Sequence, residues 1–164
     1  MTLAPTTTSL LIFSGHETFI LRSNWLKKAY DLLQKRPNLF YLNNSFVYLG
    51  VGKNMAQSIR HWGRVCGVFE VMPGASGHQA TTLGRALFDD ANGWDPFLVT
   101  PASRWLLHWQ IAARPETAFS WYTTFNLLRG SEFTARQVAQ QVIEAASKRG
   151  SKLPSSATLE RDID

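Results

Sequence analysis

The chain has 164 residues, 45% of them hydrophobic and six of them Trp, which is enough for one moderate domain or two small ones and argues against disorder. No apolar run reaches the length of a membrane span, and residues 1–11 lack the basic and apolar regions of a signal peptide. The single cysteine, Cys66, excludes an internal disulfide framework and a Cys-based zinc site, so the chain reads as cytoplasmic. The net charge is +5, but between Arg22 and Arg64 eight Lys or Arg meet one acid, Asp31; this is a local +7 that leaves −2 on the rest. Such asymmetry predicts an anionic partner, most simply nucleic acid. A membrane surface fits less well, because the basic helix described below has no broad exposed apolar face.

In chain order, residues 1–9 are Thr-rich and read as a mobile arm. The group Gly15-His16-Glu17 follows a short apolar run at residues 10–13. A helix is expected from Ser23, as N-cap, through Lys35, ended by Pro37. Trp25, Leu26, Ala29, Leu32 and Leu33 would form its inner face, with Lys27, Lys28 and Asp31 in water. Ser45 to Tyr48 is mostly apolar and leads into a turn, where Gly50 and Gly52 can take positive φ.

From Lys53 the period becomes helical. Met55, Ile59, Trp62 and Cys66 make one apolar stripe at about 100° per residue. Lys53, Gln57, Arg60, His61 and Arg64 lie on the other side, beside Asn54. These side-chain types bond phosphates and base edges. The plainer reading is an amphipathic helix with a solvated basic face. Residues 68–72 then read as a strand, 73–78 as a loop and 79–82 as a returning strand. A helix followed by a hairpin with a small polar loop is the order of a winged helix-turn-helix.

Further on, 83–90 should be a short helix. A helix from Pro101 to Ala113 should turn Trp105, Leu106, Trp109 and Ala112 inward. A helix over 116–128 should bury Phe119, Tyr122 and either Phe125 or Trp121. Base stacking is the other use for these aromatics, but packing against each other is the favoured one. Thr134 should cap a helix with Val138, Val142 and Ala145 inside. After a basic loop at 148–154, another helix opens near Ser155. No closing signal follows it, so the chain is expected to be cut from a longer protein and this helix to fray. The Ser-x-x-Thr-x-x-Arg-Asp-Ile pattern there is similar to the recognition helix of DeoR-type winged-helix repressors.

No phosphate-cradling loop or dinucleotide fingerprint occurs, and the four histidines show no metal-ligand spacing. Asp89, Asp90 and Asp95 have the chemistry to hold Mg²⁺, although acids ending a short helix are usually solvated. His16 and Glu17 are the local group with acid–base potential. Their structural alternative is Glu17 pairing with Arg22 or capping the next helix.

Phe13-x-Gly-His-Glu-Thr-Phe19, Arg22, Trp25-Leu26-Lys27-Lys28, Leu49-Gly-Val-Gly-Lys-Asn-Met55, Ser58-Ile59-Arg60 and Trp62 resemble a bacterial family first described as a domain of unknown function. Its members are encoded beside phosphorothioation genes and include the SspB-type nickases. The resemblance implies a part in DNA backbone sulfur modification, a modification-defence function. In that process a cysteine desulfurase and an ATP-using sulfur-transfer protein supply sulfur, and nicking lets it enter. It leaves the cofactor open, with Mg²⁺ or Mn²⁺ the candidates for the full-length protein. Gly15-His16-Glu17 and Gly52-Lys53-Asn54 match the family pattern without marking which residues cut.

The expected fold is therefore mainly α: a mobile arm at 1–12, a winged helix-turn-helix with a small hairpin at 13–92, a helical connector at 93–130, and the start of a second helix-turn-helix at 131–164. The expected function is DNA binding, as the N-terminal part of a phosphorothioation nickase. Arg22, Lys27, Lys28, Lys53, Asn54, Gln57, Arg60, His61 and Arg64 are the DNA-binding candidates. One rival is that the chain itself holds the nuclease centre, around His16 and Glu17. The other is that it docks the sulfur-transfer partner.

Overall fold

The computed structural model describes residues 11–163. Helices α1 (Ser23–Lys35), α2 (Ser45–Leu49) and α3 (Lys53–Val65) are followed by strands β1 (Phe69–Val71) and β2 (His78–Ala80). Helices α4 (Thr82–Phe88), α5 (Pro101–Ala112), α6 (Phe119–Asn126), α7 (Ala135–Lys148) and α8 (Ser156–Ile163) complete the order. The protein is mainly helical, as the periodicity predicts. It divides into two compact units, one of residues 15–111 and one joining 112–163 to the described residues up to Ser14. Segment 93–130 is shared between them.

In the first unit α1 buries Trp25, Leu26, Ala29, Tyr30 and Leu33. Arg22, rather than Ser23, is its N-cap, and no side chain caps it. At the other end Arg36 leaves the helical region before Pro37, because the proline ring disfavours a helical residue in front of it. Ser45 to Tyr48, expected only as an apolar lead-in, form with Leu49 the short helix α2. Gly50 ends it in the left-handed conformation, with its N–H on Phe46 O and Val47 O.

Of the predicted stripe, Ile59 and Trp62 are buried on α3, Cys66 is buried just past its end and Met55 is half-buried. Ala56, Ser58, Gly63 and Val65 widen the buried face. Gly63 is needed for this approach: a Cβ there would lie 2.0 Å from the Phe69 ring. The hairpin pairs Phe69 with Ala80, Glu70 with Gln79 and Val71 with His78. β2 thus begins one residue earlier than expected, and strand alternation sends His78 and Ala80 inward and Gln79 outward. Thr81 caps α4 by accepting the Gly84 N–H at 2.9 Å.

Helix α5 corrects an expectation. Its buried residues are Ser103, Leu107, Ile111 and Ala112, whereas Trp105 and Trp109 are exposed. The anchor is at its start. Buried Asp95 accepts from the Val99 N–H (2.8 Å), the Thr100 N–H (2.9 Å) and the Thr100 hydroxyl (2.7 Å). The Thr100 and Ser103 hydroxyls meet at 2.9 Å. This chain of bonds turns Ser103, and with it Leu107 and Ile111, toward the core.

The second unit has its own core of Leu11, Phe13, Phe119, Val138, Val142, Ala145, Ala146 and Leu159. The arm expected at 1–12 falls partly outside the described residues, but Leu11 is buried and Ile12 O accepts the Phe119 N–H at 3.0 Å. Phe119 is buried, Tyr122 half-buried and Phe125 exposed. Helix α7 has a full capping box between Thr134 and Gln137, and its Val138, Val142 and Ala145 are buried as predicted. Helix α8 packs on this core. Leu159 is buried, Ile163 rests on the core, and the Ser120 hydroxyl donates to the Asp162 carboxylate.

Candidate nucleic-acid interface

The outer face of α3 is built by exclusion. Ile59, Trp62 and Val65 claim one side, which leaves Lys53, Asn54, Gln57 and Arg64 exposed on the other. Arg60 is half-buried, its guanidinium 5.6 Å from the centre of the Tyr41 ring. The helix contains no acid, and Lys53 and Arg64 pair with no carboxylate among the described residues. Gly52 caps α3 without a side-chain bond, so the first-turn N–H groups are available beside Lys53 and Asn54. A helix N-terminus of this kind favours anions.

The cations of α1 form a separate group. Arg22 is exposed, 5.5 Å from the Trp25 ring. Lys27 is half-buried and held by Asp31 at 2.5 Å and Asp90 at 2.6 Å, which corrects its expected place in open water. Desolvation would lower its pKa, but the two carboxylates outweigh this and raise it. Lys28 is exposed and donates to Leu49 O at 3.3 Å. Lys27 and Lys28 line an open groove of about 540 Å³ with Tyr48 and Phe97, and no cation of α3 lines it.

His61, expected on the polar face of α3, turns the other way. It is half-buried against the loop at 15–19. Gly15 has φ +135°, and a Cβ on it would lie 2.4 Å from His61 Nδ1. His16 lies nearby, edge-on to His61 with ring centres 6.1 Å apart and tilted against Trp62 at 6.0 Å. Trp62 Nε1 donates to Phe19 O at 2.9 Å, and the Phe19 N–H to His16 O at 2.8 Å. Burial, then His16 and Arg64, lower the His61 pKa to about 4. His61 is therefore neutral at neutral pH and brings no charge to a phosphate. Its position beside Trp62, at the edge of the stripe, is where a helical wheel divides the faces least sharply.

Glu17 and Thr18 are exposed and take left-handed φ values of +51° and +66°. Among the described residues no group of three or more His, Cys, Asp or Glu could hold a metal ion. Asp89, Asp90 and Asp95 each have structural partners. Asp89 accepts the Ala91 and Asn92 N–H groups, Asp90 pairs with Lys27, and Asp95 anchors α5. Burial alone would raise the Asp95 pKa, but the Thr100 and Val99 donors hold it at about 2.

Two residues beside the basic face carry no sequence signal. Tyr41 supports Arg60 from the 3-10 turn at Leu39–Tyr41. His78 is 1% exposed among Phe40, Tyr41 and Phe69, and neither ring nitrogen has a hydrogen-bond partner. Burial, then Arg60 and Arg64, lower its pKa to about 4.

The family described as "Protein of unknown function (DUF4007)" matches residues 13–164. The chain belongs to this family. It is also similar to two solved structures. One, an SspB crystal structure, shares 30% identity at a TM-score of 0.82, covering 96% of this chain and 50% of that one. The other, a magnesium ion-bound SspB crystal structure, shares 31% identity at a TM-score of 0.81, covering 94% of this chain and 47% of that one. The chain thus spans about half the length of these structures, and its resemblance to the SspB-type family holds. No curated protein matches it. No helix among the described residues is long and apolar enough to cross a membrane.

Proposed function

We propose that this chain is the DNA-binding part of a cytoplasmic DNA-nicking protein in a bacterial phosphorothioation, or modification-defence, system. In this reading α2, the Gly50-Val51-Gly52 turn and α3 are a helix-turn-helix. Helix α3 is its recognition helix and β1–β2 its wing. The observation that carries the reading is the acid-free outer face of α3, where Lys53, Asn54, Gln57 and Arg64 are exposed in one row. Lys and Arg neutralise phosphates, and Asn and Gln bond base edges. The similarity to SspB supports the assignment to a phosphorothioation system, and the ATP-using sulfur-transfer protein is the partner it suggests. The test is fluorescence anisotropy with a labelled duplex at two salt concentrations. Binding should weaken by orders of magnitude between about 50 and 200 mM salt, as phosphate-bound counterions are released. No binding to DNA at either salt, with retention of the sulfur-transfer protein, would instead mark a docking module.

A second reading puts the cutting centre in this chain, at His16 and Glu17. Two consecutive non-glycine residues in the left-handed region favour it, because such backbone strain concentrates at functional sites. One SspB structure is magnesium-bound, but the described acids and histidines of this chain do not gather into a magnesium-holding group. Supercoiled plasmid with Mg²⁺ or Mn²⁺ decides between the two readings. The DNA-binding reading expects no efficient nicking by this chain. Relaxation of plasmid that His16→Ala/Glu17→Ala abolishes would establish the second.

A further inference from the structure

Helix α5 turns two tryptophans out of its unit. Trp105 is 70% exposed and Trp109 61% exposed. Large aromatic side chains normally carry the most burial, so an exposed aromatic patch is informative where an exposed single residue is not. Four residues apart, the two side chains share one ridge, about 6 Å apart along the helix axis. Arg104 and His108 occupy the adjacent ridge. Arg104 is exposed, held by Leu98 O at 2.9 Å and Val99 O at 3.2 Å. The His108 imidazole stands edge-on to Trp105 at 5.5 Å and props that ring. Residues 96–115 include no Asp or Glu. The exposed residues of α5 are Pro101, Ala102, Arg104, Trp105 and Trp109, with no Leu, Ile, Val or Met among them.

We infer that this face is a stacking platform for single-stranded nucleic acid. Unpaired bases offer their flat faces to aromatic rings, whatever their sequence, and a nearby guanidinium draws in the phosphate backbone. The acid-free stretch 96–115 complements a polyanion. A duplex keeps its bases stacked on each other and presents no such faces, so this site differs in its ligand from the one proposed on α3 and does not depend on it. Trp and Arg also anchor protein interfaces, which makes a protein partner the rival outcome.

The test is anisotropy of a labelled oligothymidylate and a labelled hairpin duplex against the whole chain and its variants. Trp105→Ala/Trp109→Ala should weaken single-strand binding by about tenfold or more, the loss expected for removed base–ring stacking. Trp105→Phe/Trp109→Phe should recover part of it, and duplex binding should stay unchanged in both. Lys53→Ala/Arg64→Ala should do the reverse, which separates failure of this platform from failure of the α3 site. Should the alanine variant not fold, the unmodified chain still answers: stacking should quench its tryptophan fluorescence on titration with oligothymidylate. Absence of quenching, or a folded alanine variant with single-strand affinity within twofold of the parent, overturns the inference. Single-strand binding left intact while a protein interaction of the chain is lost in the alanine variant would likewise overturn it and assign the face to a protein partner.

Discussion

Helices α3 and α5 lie in the same unit, are of nearly equal length, and both carry tryptophan at helical spacing. On α3 the tryptophan is buried, and on α5 both are exposed. The difference lies in what fills the opposite side of each helix. On α3 five polar or charged side chains leave one orientation that buries a continuous apolar stripe. On α5 the only charge is Arg104, so two stripes satisfy the helical period equally: 105, 109 and 112, or 103, 107 and 111. Hydrophobic weight alone favours the first. The second is set from outside the helix, by the Asp95–Thr100–Ser103 hydrogen bonds at its start. Periodicity therefore orients a helix when polar contrast is strong, and local capping chemistry orients it when contrast is weak.

The two helices should differ most in how much their tryptophans contribute to stability. Trp62→Ala should cost roughly 3–5 kcal/mol, because it removes a buried ring together with its bond to Phe19 O. Trp105→Ala and Trp109→Ala should each cost less than about 0.5 kcal/mol, as exposed substitutions do. Urea denaturation of the three variants checks this, and a Trp109→Ala loss as large as that of Trp62→Ala would return the α5 tryptophans to a core.

Gly15→Ala comes next. Its Cβ would meet His61 Nδ1 at 2.4 Å, and its φ of +135° is unfavourable for any side chain. A cost on the order of 1–3 kcal/mol is expected by thermal denaturation. The same substitution at Gly52, where nothing lies within 4 Å, should change stability far less.

These contrasts mark how far the sequence could be read. The mainly α fold, the α3 stripe, the Thr134 cap and the inner face of α7 follow from strong local signals: period, capping residues and charge contrast. The placement of His61, Lys27 and His78 does not. Each depends on a partner distant in sequence: Gly15 for His61, Asp90 for Lys27, and Pro37 O with the aromatic turn for His78. The Gly15-His16-Glu17 group stood out as a motif. Its fit against α3, through Gly15 and His61, became visible only with the fold.

A smaller effect tests His61 and His78. His61 and His78 titrate at about 4 in the fold, against an ordinary value of 6.5. The unfolded chain binds more protons between these values, so stability rises with pH across that window. Their contribution is complete above 6.5 and is lost as pH falls toward 4. His78→Phe removes one of these groups and two unpartnered ring nitrogens while keeping an aromatic volume. The melting temperature of this variant should fall less between pH 7 and pH 4.5 than that of the parent. An unchanged pH dependence would mean that His78 does not stay neutral in the fold.

Whether the exposed row on α3 holds DNA by its phosphates is decided by the salt dependence of duplex affinity in Lys53→Ala/Arg64→Ala. Both residues are exposed, so the fold should survive. The slope of log affinity against log salt should shrink by about two, one for each lost phosphate contact, with weaker binding at every salt. A variant with the parental slope and affinity would remove α3 as the binding surface.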